Sequence, residues 1–153
     1  MKRILAILTV WSATASAQSA EDSVRASVNR LFDGMRRADT TAIRAAFAPG
    51  ALLQTVLVNR DGNTRIESEP ADAFVSAVAR PHKEVWDERI TFNGVKIDGP
   101  LATVWTPYHF YAGDKFSHCG VDAFTLARLH GEWKIIYLVD TRRRTGCNLG
   151  GMQ

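Results

Sequence analysis

The sequence predicts an α+β domain in which two or three N-terminal helices cover one face of a strongly bent antiparallel sheet. Two observations carry this. Before position 80 apolar residues recur at helical spacing, and after Val85 strand-like runs follow one another, separated by Gly- and Asp-containing turns. Helices gathered before a long run of strands are the pattern of an α+β plan. At 153 residues, 46% apolar and 23% charged, the chain suits one globular core and excludes a disordered or collagen-like polymer.

The first segment reads as an export signal. Met1-Lys2-Arg3 is a short positive start, Ile4 to Trp11 is an apolar run, and Ala15-Ser16-Ala17 is a small-x-small cleavage pattern. The run is far shorter than the ~20 residues a membrane-spanning helix needs. The expected organisation is a signal peptide over 1–17 and one domain over 18–153, periplasmic or secreted. No Cys directly follows the run, so no lipid anchor is expected, and no later segment is long and apolar enough to span a membrane, so no other membrane anchor is expected. Removing Lys2 and Arg3 leaves 17 basic residues (19 less two) against 16 acidic ones. That near balance, and the lack of aromatics around Arg142-Arg143-Arg144, argue against a nucleic-acid partner.

Ser19 to Asp39 is expected to be helical, with Val24, Val28, Leu31, Phe32 and Met35 on one stripe and Ser19 as its cap. A second short helix starts at Asp39 or Thr40, places Ile43 and Phe47 one turn apart, and ends at Ala48-Pro49-Gly50. Leu52 to Asn59 pairs with Thr64 to Glu67 through an Asp61-Gly62 hairpin turn. Pro70 opens a third helix with Phe74, Val75 and Val78 as its contacts, and Arg80-Pro81 closes it. Glu88 to Ile97 is one strand with a bulge at Asn93-Gly94. Leu101 to Ala112, Phe116 to Leu129 and Trp133 to Thr141 complete a meander turned at Gly113-Asp114 and His130-Gly131.

Several stretches resemble a known family. Met35 to Ala51 and Gly131-Glu-Trp-Lys-Ile135 resemble the nuclear transport factor two-like superfamily, which includes polyketide cyclases and ketosteroid isomerases. Val104-Trp-Thr-Pro-Tyr-His-Phe-Tyr111, Phe116-Ser-His-Cys-Gly120 and Asp140-Thr-Arg-Arg143 with Cys147 resemble its exported bacterial, lumazine-binding-like branch. The likeness spans residues 20 to 147 and implies a cone-shaped fold with one cavity. His109 departs from the pattern, since that position is more often acidic in the branch. The fold hosts enzymes and non-enzymes, so the resemblance names no reaction.

The turns also predict which side chains share a face. With His130-Gly131 as a two-residue turn, Ile135 faces Leu126 and Tyr137 faces Phe124. With Gly113-Asp114 as the turn before it, His109 faces His118 and Trp105 faces Asp122. One face then gathers Trp105, His109, His118, Asp122 and Tyr137, the expected lining of an apolar ligand cavity. The other gathers Tyr108, Phe110, Val121, Ile136 and Leu138, an apolar patch expected to form a homodimer. His118 and Asp122 lie roughly 13 Å apart along one strand, so they flank a ligand without bonding each other.

Two functional readings stay open. One is an exported domain that binds a small molecule. The other is a cofactor-free cyclase, isomerase or dehydratase with His118 or Asp122 as proton-transfer group and Tyr137 or Tyr108 as phenol donor. His118 also reads as a structural histidine tied to His109, Tyr111 or a backbone carbonyl. No cofactor is expected, because the chain has no glycine-rich phosphate loop. No metal is expected either, because His82, His109, His118 and His130 lack ligand spacing. An oxidising compartment and two cysteines point to a Cys119–Cys147 disulfide, with Cys119 facing Arg142 just before the tail.

Overall fold

The structure is a computed structural model that describes residues 12–147, with side chains from residue 20 onward. The proposed cleavage site precedes those side chains, and residues 1–11 of the proposed signal lie outside the described residues. Helix α1 (Ser12–Arg37) buries the expected stripe, Val24, Val28, Leu31, Phe32 and Met35. It begins upstream of Ser19, so Ser19 is an interior position and not the cap. At its end Ala38 takes a left-handed φ of 51°, and the Asp39 N–H donates to the Gly34 carbonyl at 2.8 Å. Asp39 then caps α2 (Thr40–Ala46), its Oδ1 accepting from the Ala42 N–H at 3.0 Å.

Strand β1 (Phe47–Val58) follows without a loop. Ala48-Pro49-Gly50, expected as a stop, instead forms an irregularity inside the strand, where Gly50 supplies a φ of 76°. Next come β2 (Thr64–Pro70), α3 (Ala71–Ala79), β3 (Trp86–Ile90) and β4 (Val95–Asp98). The run expected over 88–97 is thus two strands, broken between Ile90 and Val95. The meander ends with β5 (Leu101–Ala112), β6 (Lys115–Leu129) and β7 (Glu132–Arg143).

The sheet order is β2-β1-β7-β6-β5-β3, with β4 also paired to β5. Every pairing is antiparallel except β1 with β7, which is parallel. No tight turn links those two strands, so nothing forces their directions to oppose. The architecture is α+β, three helices packed on a large mixed sheet.

Two irregularities decide which residues face the helices. Near the turns the register is as expected: Tyr111 pairs Phe116, and Ile135 pairs Leu126. Beyond them one extra residue enters each strand pair. Phe110 pairs His118, which makes Ser117 the extra residue on β6. Thr125 pairs Tyr137, which makes Ile136 the extra residue on β7. A shift of one residue exchanges the two faces of a strand. Trp105, His109 and Tyr137 therefore lie on the outer face, away from the helices. Tyr108, Phe110 and Leu138, expected outside, turn inward, and Tyr108 is only 2% exposed. The dimer patch composed at the sequence level does not exist in that form.

The inner face has a dry half. Val104, Phe124, Leu126, Trp133 and Ile135 pack under Val24, Val28 and Leu31 of α1 in one buried cluster. The Ser27 hydroxyl donates to the Trp133 carbonyl at 2.8 Å and ties helix to sheet.

Candidate functional site

The other half of the inner face is polar. Glu67, Thr55, Asp140, Asp122 and Thr106 are successive partners across β2, β1, β7, β6 and β5, so one row crosses five strands at a single level. Beside it run Ile90, Tyr108, Gly120 and Arg142, and then Glu88, Phe110 and His118. Above these rows is a cavity of about 320 Å³. Leu31, Phe32 and Met35 of α1, Phe74 of α3, and Leu53 and Leu138 form its apolar wall. Glu88, Asp122, Asp140 and Arg142 supply the polar side, and the exposed Glu67 and Glu69 line it from β2.

Gly120 makes the polar half possible. A Cβ there would lie 1.8 Å from the Thr141 carbonyl oxygen and 2.7 Å from Tyr108 Cε1. The Tyr108 ring uses that space, and its hydroxyl reaches both Asp140 Oδ2 and the Thr141 carbonyl at 3.0 Å. Arg142 Nε and Nη2 approach the same Asp140 oxygen at 3.4 Å. Thr106 Oγ1 donates to Asp122 Oδ2 at 3.2 Å.

Glu88 and Asp122 are hydrogen-bonded to each other. Burial, with the neighbouring Asp140 charge, pushes the Glu88 carboxyl up to about 8. Burial and the charges of Glu88 and Asp140 push Asp122 well above the usual carboxylate range. Two neighbouring carboxyls with little solvent around them cannot both ionise cheaply, so the pair keeps a proton at neutral pH. Burial, then the Asp140 charge, raises the Tyr108 phenol, which stays neutral.

Of the expected site residues, only Asp122 lines the cavity. His118 keeps the inner face but is stacked on Phe110, ring centroids 4.9 Å apart, with Nδ1 at 3.0 Å from Ser117 Oγ. Burial and nearby Arg142 lower it to about 4, so it is a neutral imidazole at pH 7. Trp105 is 51% exposed on the outer face. His109 is buried there beside Phe116, and its pKa is lowered by burial and Arg143. The Tyr137 hydroxyl bonds Gln54 Oε1, also on the outer face. The expected cavity is thus apolar on its helix side and acidic on its sheet side.

Sequence reasoning missed Glu88, Asp140 and Arg142. Glu88 left a signal, since it alternates with Trp86 and Ile90 and so shares an apolar strand face. Asp140 and Arg142 alternate with Leu138 at the same period, but that set turns inward only because of the extra Ile136.

The disulfide joins Cys119 to Cys147 with a Cα separation of 5.9 Å. Cys119 faces Arg143, one residue beyond the expected partner, because of the same extra residue. It ties the chain after β7 to β6 next to the Gly120–Arg142 pair. Among the described residues no helix is long and apolar enough to cross a membrane.

The fold has many counterparts among solved structures. A nuclear transport factor two-like (NTF2-like) protein of unknown function from Shewanella baltica matches with a TM-score of 0.66 and 16% identity, over 84% of this chain and 97% of that one. A conserved protein from Planctomyces limnophilus matches with a TM-score of 0.68 and 16% identity, over 82% and 98%. A protein from Streptomyces avermitilis, described as a putative dehydratase from the NTF2-like family, matches with a TM-score of 0.57 and 11% identity, over 84% and 99%. At such identities the likeness establishes the fold alone. No curated protein matches the sequence. The family model described as "Putative lumazine-binding" matches residues 19–139. That span takes in all three helices except the start of α1, and the sheet through most of β7, so the chain belongs to this lumazine-binding family of the NTF2-like superfamily.

Proposed function

We propose that the protein is an exported domain that binds a small molecule in the cavity under α1. The observation that supports this most is the cavity itself: about 320 Å³, with an apolar wall facing a few convergent polar groups. The family's description, which names a small-molecule ligand, agrees with it. The test is a fragment screen followed through methyl resonances. Binders should move Leu31, Met35, Leu53 and Leu138 together. Binders that move only outer-face methyls such as Val121 and Val139 would overturn the reading.

A second reading, a cofactor-free proton-transfer enzyme, is favoured by the Glu88–Asp122 pair. A carboxyl kept protonated near neutral pH can act as a general acid and, once ionised, as a base. The similar fold described as a putative dehydratase is consistent with it. His118, neutral and held by Ser117 and Phe110, yields the proton-transfer role to Asp122 and Glu88. Tyr108 is committed to Asp140 and Thr141. Carbonyl compounds incubated with the protein in heavy water should exchange C–H for deuterium, and Asp122→Asn should abolish exchange. Exchange at an equal rate in that variant would reject the role.

Export and dimerisation belong to the same proposal. Mature protein should begin at Gln18 by intact mass. The outer face carries Leu52, Trp105, Pro107, Val121, Tyr137 and Val139, an apolar patch bordered by Arg89 and Arg143 that offers a surface to a second copy. Trp105→Lys should convert a dimer to a monomer by sedimentation. A monomeric unmodified protein at micromolar concentration would remove the dimer from the proposal.

A further inference from the structure

We propose that the cavity selects a ligand with a positively charged, N–H-donating head, such as an amidinium or a protonated amine, on an apolar body. This rests on the cavity-binding reading and names the ligand class. The first observation is a charge inventory. Five carboxyl groups, Glu67, Glu69, Glu88, Asp122 and Asp140, line the cavity with one guanidinium, Arg142. Arg142 is already directed at Asp140, and Glu67 is matched by Arg65 at 2.5 Å. Glu88 and Asp122 form no ion pair among the described residues: they bond each other and the neutral Thr106 hydroxyl, and the Arg142 charge acts on Glu88 without offsetting its burial.

Buried carboxylates without a cation take up a proton in place of a charge. The pair therefore holds a proton where a ligand cation would sit. An anionic head is opposed by like charge, and a neutral head leaves the proton in place. The second observation is the opposite wall. Leu31, Phe32 and Met35 of α1 and Phe74 of α3 bring no charged group to the cavity, so the rest of the ligand is apolar. The volume of about 320 Å³ accommodates a single substituted ring.

Binding of such a cation ionises the Glu88–Asp122 pair, and the proton leaves to solvent. The groups that act on the pair are Thr106 and Tyr108 from β5 and Asp140 and Arg142 from β7; Glu67 and Glu69 from β2 line the same cavity, and His118 from β6 lies in the row of Glu88 beyond Phe110. Residues Leu31, Phe32 and Met35 of α1 add none. Affinity should therefore rise with pH until the pair ionises in the free protein.

Benzamidine, benzamide and benzoate, which share one ring and differ in head charge, provide the test on the disulfide-bonded protein. Calorimetry should give benzamidine an affinity at least about tenfold above benzamide, with no measurable benzoate binding. Benzamidine affinity should climb by up to about tenfold per pH unit between pH 6 and 7.5, with proton release seen as buffer-dependent heat. Glu88→Gln should weaken benzamidine more than benzamide. If benzamide or benzoate binds as well as benzamidine and moves the cavity methyls, the charge selection fails while cavity binding stands. If benzamidine binds without proton release and with flat pH dependence, the role of the pair is overturned. If none of the three moves Leu31, Met35, Leu53 or Leu138, both the charge selection and the cavity reading fall.

Discussion

Phe124 and Asp122 stand two residues apart on β6, point to the same side of the sheet, and are 1% and 3% exposed. They belong to different environments nonetheless. Phe124 packs edge-on against Phe32, ring centroids 6.0 Å apart, in the dry half. Asp122 meets Thr106 and Glu88 in the polar half. Equal burial therefore has opposite meanings. In one half burial removes apolar surface from water, which stabilises the fold. In the other it forces carboxyls to hold protons, which costs stability and supplies chemistry.

The largest expected effect is in the dry half. Phe124→Ala should destabilise by about 3–5 kcal/mol in chemical denaturation, since it removes a ring from a closely packed cluster. A loss under about 1 kcal/mol would mean that the dry half is loosely packed. Cutting the disulfide comes next. Cys147→Ala removes the constraint on a loop of 28 residues and should cost about 2–4 kcal/mol, measured as a lower denaturation midpoint.

A smaller effect separates the halves by pH. Glu88 is raised from 4.5 to about 8, so the folded state holds its proton more tightly than the unfolded chain. Its contribution is complete below pH 4.5 and is lost as pH rises toward 8. His118 is lowered from 6.5 to about 4, so its contribution is present above 6.5 and is lost as pH falls toward 4. The two slopes oppose between 4.5 and 6.5, and from 6.5 to 8 the carboxyl slope remains. Stability should decline by about 1–2 kcal/mol over that last interval. Glu88→Gln should flatten the decline, and an unchanged slope in that variant would assign the titration to another group.

The smallest expected effect is the most discriminating. Asp122→Asn replaces a carboxyl that already holds a proton with a neutral group of the same shape. It should change stability at pH 7 by less than about 1 kcal/mol, although Asp122 is as buried as Phe124. A loss near that of Phe124→Ala would show that Asp122 is ionised in the fold.

Hydrophobic period was legible because it is local. The α1 stripe, the three helices and the ends of β5, β6 and β7 follow from spacing and from turn residues a few positions away. The polar half was legible only in fragments. His118 and Asp122 were placed on one face because they share a strand. Their neighbours were misplaced because each came from a strand across an irregularity. Glu88 was available from its alternation with Trp86 and Ile90. It could not be connected to Asp122, because that contact joins two strands that are not adjacent in the sheet.

By itself, the sequence determined the α+β plan, the helix faces, the hairpin turns and the pairing of its two cysteines. These depend on local periodicity, backbone preference and the chemistry of residue types. Only the tertiary structure decided that Trp105, His109 and Tyr137 look outward while Tyr108, Asp140 and Arg142 look in. The reason is that side-chain direction in a sheet has period two. One extra residue, Ser117 on β6 or Ile136 on β7, reverses every assignment beyond it relative to the partner strand. Where such a residue inserts depends on packing between strands and under α1, which no window along the chain contains.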